Sequence, residues 1–308
     1  MLPYLSIAIF INKTADEIFL IRVKQLHHDM MKIIGGPASQ LLAARVASEL
    51  ECELALAEYK RFPDGESYVR VLDEIDDVVI IQSMVSDEDL IYLLQLIDAC
   101  SEASVRVVIP YFGYARQGRR FQPGEAISAK VMAKTIEAEE ILTVNIHDPP
   151  VLDYFSVKVR DLDAAPLIGE YMQSLDLQKP IFIAPDEFAG SLARSVASKL
   201  GADYDVLEKK RLSGDHVEIK AKHLDVANRD VIIIDDMVST GGTMSEAIEL
   251  LRRQKSKDVY VACVHPVLAM NAVCRLFKAG VKEIIATDTI ESGISIISVA
   301  PLIAGALK

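Results

Sequence analysis

The sequence predicts an α/β chain of two tandem domains, each built on a mainly parallel sheet flanked by helices. From Met31 onward short β-branched runs alternate with longer amphipathic stretches, the pattern of βαβ units, and the second half repeats the plan of the first. Length agrees, because 308 residues with 51% hydrophobic content are too many for one small domain and enough for two ordinary cores.

In the first half, residues 32–34 read as a strand, 39–50 as a helix, 78–82 as a strand, 87–101 as a helix and 105–109 as a strand that Pro110 ends. A helix over about 126–139 and a strand over 141–146 close this half at His147-Asp148. The second half reads as helix 165–174, strand 181–184, helix 191–200, strand 231–234, helix 244–254 and strands 259–264 and 283–286. Polar residues and Pro166 mark a boundary within 159–166, giving domains of 31–162 and 163–308. Residues 1–30 form an extension of unassigned role, in which the β-prone runs 6–11 and 17–23 suit a hairpin; Met31 is a second plausible start. The apolar run 5–11 is too short to span a bilayer and no basic residue precedes it, so neither a membrane span nor a secretory signal is expected.

Cys52, Cys100, Cys263 and Cys274 lie far apart with no Cys-x-x-Cys pair, which fits a reducing cytoplasm. A formal net charge of −12 argues against broad nucleic-acid binding, which needs an extended basic face. Any anionic substrate must therefore meet a local basic cluster.

The chemistry concentrates at Asp235-Asp236-Met237-Val238-Ser239-Thr240-Gly241-Gly242-Thr243. The apolar run 231–234 suits a buried central strand; it ends on two carboxylates and a glycine-containing turn into a helix, a ligand-binding corner of an α/β sheet. Gly241 and Gly242 let the backbone approach an anion, Ser239, Thr240 and Thr243 add hydroxyls, and the helix contributes its positive end. No Gly-Lys-Ser/Thr ending follows, so a monophosphate suits the loop better than a triphosphate. Asp235 and Asp236 suit ribose hydroxyls or a bridging magnesium ion; for an Asp-Asp pair alone, capping of the turn is the plain alternative.

Five further runs share the chain: Arg61-Phe62-Pro63-Asp64-Gly65-Glu66, Tyr111-Phe112-Gly113-Tyr114-Ala115-Arg116-Gln117, Asn145-Ile146-His147-Asp148, Ala184-Pro185-Asp186 and Glu208-Lys209-Lys210-Arg211. Each alone reads equally as a turn or a solvated charged face. Together with 235–243, and in this order, they resemble the ribose-phosphate pyrophosphokinase family, nearest its shorter archaeal-type members, over nearly all of 31–308.

That resemblance implies two tandem phosphoribosyltransferase-like domains of the type I fold. It implies transfer of pyrophosphate from ATP to the anomeric hydroxyl of ribose 5-phosphate, with magnesium as cofactor. Carried over residue by residue, Phe62, Asp64 and Glu66 would hold adenine across a subunit contact of a homo-oligomer, and Arg116 and Gln117 would contact ATP. His147 and Asp186 would bind magnesium, and Lys209 and Arg211 would be catalytic on a mobile loop. Arg211, Asp235, Asp236 and 239–243 would bind ribose 5-phosphate. The pattern is broken at Phe188, where the family has glycine, at Ser239, where bacterial-type members are acidic, and at Asp148, where they have Ala. A base phosphoribosyltransferase would share 235–243 without the run 62–66, and a non-catalytic regulatory paralogue is the remaining alternative.

Overall fold

The computed structural model describes residues 31–207, 209–213, 216–219 and 224–308, with 209–213 and 216–219 described by their backbone alone. The hairpin expected within residues 1–30 lies outside the described residues.

Two six-stranded parallel sheets organise the chain. The first comprises β1 (Met31–Gly35), β2 (Glu53–Leu54), β5 (Asp77–Ile81), β6 (Ser104–Ile109), β7 (Glu140–Val144) and β8 (Lys158–Leu162), in the order β2-β1-β5-β6-β7-β8. The second comprises β9 (Ile181–Ala184), β10 (Asp203–Val206), β13 (Val231–Met237), β14 (Val259–His265), β15 (Glu283–Thr287) and β16 (Ser295–Ile297), in the order β10-β9-β13-β14-β15-β16. The orders are the same, so the duplication of plan is a duplication of topology. It extends to two antiparallel hairpins, each leaving after the edge strand and returning before a central one: β3 (Ala57–Arg61) with β4 (Ser67–Val71), and β11 (Lys209–Ser213) with β12 (His216–Ile219).

Central strands β5 and β14 are buried along their length, and so is the Val231–Ile234 part of β13, because helices cover both faces of each sheet. The inner faces share one helical layer. In it α1 (Gln40–Leu50) packs on α8 (Ala300–Leu307), and α4 (Ala165–Ser174) on α5 (Gly190–Leu200). Met31, Ile33 and Val79 of the first sheet and Phe182, Ile232 and Val264 of the second belong to this one continuous core. Outer faces are covered by α2 (Asp87–Ala99) and α3 (Ser128–Thr135) on the first sheet, and by α6 (Gly242–Arg253) and α7 (Ala272–Ala279) on the second.

Several expectations need correction. The polar run inside the expected boundary supplies edge strand β8, whose Arg160 forks onto Glu140 of β7 at 3.0 and 2.9 Å; an edge strand is half solvated and so carries no long apolar run. Helix α3 stops at Thr135 rather than near 139, because the Glu139 amide already donates to the Val105 carbonyl (2.9 Å) at the start of β7.

Asp288, 1% exposed, joins the halves. It receives Arg45 from α1, the Ser298 hydroxyl (2.7 Å) and the Val299 amide (2.7 Å) at the entry of α8. Asp288→Ala strands these donors, and we expect it to cost about 3 kcal/mol in urea unfolding. A loss below about 0.5 kcal/mol would refute the pinning role.

Candidate active site

Each sheet has a switch point where consecutive connections leave in opposite directions: between β1 and β5, and between β9 and β13. Ligands of open α/β sheets bind beyond the carboxyl ends of strands at such points. In the second sheet the point opens into a cavity of about 470 Å³, lined by Arg116, His147, Asp186, Phe188 and the stretch from Asp235 to Met244. In the first it is filled. The Gln82 side chain stands against Gly36, where a Cβ would fall 2.1 Å from Oε1, and accepts the Ala38 amide at 3.1 Å.

The loop after β5, Met84-Val85-Ser86, repeats the Met237-Val238-Ser239 that follows Asp236. Its amides, however, are taken by a carboxylate of the chain. Asp89 Oδ2 accepts from Val85 (3.1 Å) and Ser86 (2.8 Å) in a capping box that starts α2. Among the described residues of the second half no carboxylate does this. The amides of Ser239, Thr240 and Gly241 find no acceptor among the described residues. They sit at the N-terminus of α6 beside the hydroxyls of Ser239, Thr240 and Thr243, a preformed anion cradle.

Gly241 has φ +70°, which L side chains rarely adopt, although a Cβ there would only touch the Ala272 carbonyl and Leu276 Cγ at 3.4 Å. Gly242 is less constrained, its nearest neighbour being Arg275 Nη1 at 3.7 Å from a built Cβ. Only the first glycine is demanded by backbone geometry.

The carboxylates divide their labour. Asp236 Oδ2 lies 2.6 Å from His147 Nδ1, joining β13 to the loop after β7. Burial disfavours charge on both partners, yet the hydrogen bond between them outweighs it, lowering the Asp236 pKa and raising that of His147. Asp235 is driven well above the carboxylate range, by burial first and then by the neighbouring Asp236 charge. Asp186 Oδ1 is held by the amides of Phe188 (3.1 Å) and Ala189 (3.2 Å). The Phe188 ring stands 5.1 Å from His147.

Among the described residues no group of three His, Cys, Asp or Glu side chains forms a ready metal site. Magnesium nonetheless fits the donors present, since it takes one or two carboxylates and completes its shell with water and substrate oxygens. Asp186 and Asp235 bring carboxylate oxygens to the cavity, and Asp236, by holding Nδ1 of His147, leaves that ring its Nε2.

The structure brings Arg116, His147, Asp186, Asp235, Asp236, Ser239, Thr240, Gly241, Gly242 and Thr243 to one cavity and, among the described side chains, leaves Phe62, Asp64, Glu66 and Gln117 off its wall. Gln117 turns away to the Arg119 carbonyl (3.0 Å) and Glu125 (3.2 Å). Phe62, Asp64 and Glu66 occupy the exposed tip of the β3–β4 hairpin. There the Phe62 amide donates to the Glu66 carbonyl (2.8 Å) and Phe62 meets Tyr68 edge-on at 6.0 Å. Lys209 and Arg211 lie on β11, opposite Ile219 and Val217; their side chains are outside the described residues.

Two residues escaped the sequence reading. His265 is 1% exposed and bridges the halves. In the neutral form that burial favours, its Nε2–H donates to the Asn145 carbonyl (3.1 Å) and Nδ1 accepts from Thr289 (2.9 Å). Arg275 on α7 reaches the Thr240 carbonyl. Asn271 and Gly280 at the ends of α7 were the available signal for that helix.

Comparison with known proteins decides the family. Residues 31–139 match the N-terminal domain of ribose phosphate pyrophosphokinase, and residues 160–287 match the phosphoribosyl transferase domain. A ribose-phosphate pyrophosphokinase of Methanosarcina acetivorans is 56% identical over 281 residues, 90% of this chain and 99% of that one. Ribose-phosphate pyrophosphokinase 2 of Archaeoglobus fulgidus is 47% identical over 89% of this chain and 99% of its own. The chain belongs to the ribose-phosphate pyrophosphokinase family. The crystal structure of phosphoribosylpyrophosphate synthetase from Mycobacterium smegmatis superposes with a TM-score of 0.80 at 28% identity, covering 90% of this chain and 97% of that one. The family's two-domain fold is therefore the one described above.

Because its folded pKa is raised, His147 adds stability that is complete below its ordinary 6.5 and is lost as pH rises through the folded value. In magnesium-free protein, Asp236→Asn leaves burial as the main influence, so histidine NMR titration should find His147 below 6.5. An unchanged titration would contradict the pairing. Gly241→Ala should cost about 1–2 kcal/mol in urea unfolding and Gly242→Ala much less, and equal losses would refute the distinction.

Proposed function

We propose that the chain transfers the pyrophosphoryl group of ATP to the anomeric hydroxyl of ribose 5-phosphate, giving 5-phosphoribosyl 1-pyrophosphate and AMP for nucleotide biosynthesis. The observation that carries this reading is the anion cradle at 239–243, with unused amides beside two carboxylates, in a chain of this family. The cradle takes the 5-phosphate, and Asp235 and Asp236 face the ribose hydroxyls. Residues 31–162 and 163–308 act as the two domains of one catalytic unit, and the cytoplasm is its compartment.

The chemistry is positioning and neutralisation of charge: the anomeric oxygen attacks the β-phosphorus and gives its proton to solvent, and AMP departs with the bridging oxygen. Among the described residues three carboxylates face the cavity against Arg116 and His147, so phosphate binding calls for added positive charge. Magnesium would supply it, and Asp186 and His147 would hold it. Arg116 presents a planar fork to phosphate oxygens. Lys209 and Arg211, on the first strand of the second hairpin, stabilise charge that develops in transfer. Phe62, Asp64 and Glu66 are exposed and off the cavity of their own chain, which suits an adenine site completed by a second subunit of a homo-oligomer; Gln117 serves the same nucleotide.

The test is incubation with ATP, magnesium and ribose 5-phosphate while AMP and phosphoribosyl pyrophosphate are measured together. Equal amounts of both support the proposal. Well-folded protein that gives neither is a non-catalytic paralogue, and one that instead consumes phosphoribosyl pyrophosphate with a free base is a base phosphoribosyltransferase. Lys209→Ala should lower kcat at least ~100-fold with ribose 5-phosphate affinity within ~3-fold, since its contact peaks in the transition state. Equal losses of affinity and turnover would contradict that role.

A further inference from the structure

The cradle at 239–243 is braced from behind by α7, which the family motif does not include. Gly241 rests on Ala272 and Leu276, and Arg275 Nη1 donates to the Thr240 carbonyl at 2.9 Å. Some arginines of the chain meet carboxylates, as Arg106 does Asp77 and Arg229 does Asp203, and others, such as Arg252 on the Gly280 carbonyl, hold backbone. Among the described residues Arg275 has no carboxylate at ion-pair distance, and its guanidinium is spent on one peptide of the loop.

That peptide is the one between Thr240 and Gly241. A trans peptide is planar, with its carbonyl and its amide N–H pointing in opposite directions. Holding the Thr240 oxygen toward α7 therefore aims the Gly241 N–H the other way, into the cavity, where it has no acceptor of its own. A charged donor on the carbonyl also polarises the peptide and strengthens its N–H as a donor. The left-handed conformation of Gly241, φ +70°, is what lets the loop turn between these two contacts.

We propose that Arg275 is a positioning residue for the sugar phosphate: by pinning the Thr240–Gly241 peptide from outside the cavity, it orients the Gly241 amide toward the bound 5-phosphate. Arg275 is not among the residues that line the cavity, and its bond to Thr240 is solvent-exposed. Its contribution is the direction of one peptide plane rather than stability of the fold. The proposal rests on the ribose 5-phosphate reading above and deepens it.

Arg275→Met keeps the apolar stem and removes both charge and donor. Titration with ribose 5-phosphate should give a dissociation constant roughly tenfold weaker, the size of a lost charge-assisted hydrogen bond. The KM for ribose 5-phosphate should rise in proportion, while kcat and the KM for ATP stay within about twofold. Arg275→Lys, which retains a charged donor, should recover part of the affinity. In the wild type the Gly241 amide resonance should move downfield as ribose 5-phosphate binds, and in Arg275→Met that movement should shrink. Unchanged affinity in Arg275→Met overturns the proposal, as does a parallel fall in kcat and ATP affinity, the mark of general damage. Weaker binding with the Gly241 shift intact also overturns it, because long-range charge would then be the cause. The titration needs no turnover, so a chain that binds ribose 5-phosphate but makes no product would sink the functional reading and leave this one standing.

Discussion

The cavity depends on one constraint: the carboxyl ends of β7 and β13, in different sheets, are held against each other. Each sheet is apolar on both faces, so each needs two helical layers, and sharing the inner one brings the sheets into a single core. Hydrophobic burial does not fix their register to the fraction of an ångström that phosphate chemistry needs. Polar contacts across the junction do. His147 meets Asp236, and His265 reaches the Asn145 carbonyl two residues before His147. The Ser83 hydroxyl adds a bond to the Thr289 carbonyl at 2.5 Å. The first of these contacts also sets charge, keeping Asp236 ionised and leaving Asp235 to take up a proton more readily.

The duplicated topology poses a question that the residues answer. Two equivalent switch points exist and one is open. Where the second half has Asp235-Asp236 the first has Gln82-Ser83, both fully buried and bonded within the protein. Where the second half has a glycine turn with unused amides, the first has Asp89, whose carboxylate takes the position an anionic ligand would occupy. An internal carboxylate at a helix N-terminus satisfies the same donors and dipole as a phosphate, without dissociating. The first half is thereby freed to contribute its edge, through Arg116 and His147, to the site of the second.

Much of this was legible in the sequence because it rests on local periodicity. The apolar runs of β1, β5, β9, β13 and β14 and the helices α1, α4 and α5 stand close to where the alternation of patterns puts them. The hairpins β3–β4 and β11–β12 were not read: their strands are only four or five residues long and mix charged side chains with apolar ones, so no continuous apolar run marks them. Strand β8 was hidden for the same reason. At the site, the residues carried by motif and those placed by geometry coincide for Arg116, His147, Asp186 and 235–243. Arg275 and His265 were beyond reach, since their roles arise from contacts across 35 and 120 positions of sequence.

The two sides of the cavity differ in readiness. On the acceptor side the amides of 239–241 are unspent and Gly241 is already in its left-handed conformation. On the other side the amides of Phe188 and Ala189 are given to Asp186, and the Gly190 amide to the Glu187 carbonyl. A loop whose donors are consumed internally offers a pyrophosphate little direct hydrogen bonding, and the Phe188 ring stands before it, half exposed. Among the described residues Arg116 is the guanidinium on that wall, and the proposed function adds a metal ion and the basic residues of β11 to it. On the function proposed above, the sugar phosphate would meet a site preset by backbone, and the nucleotide phosphates one completed by cations. That division suits a reaction in which one partner must be fixed while charge gathers on the other.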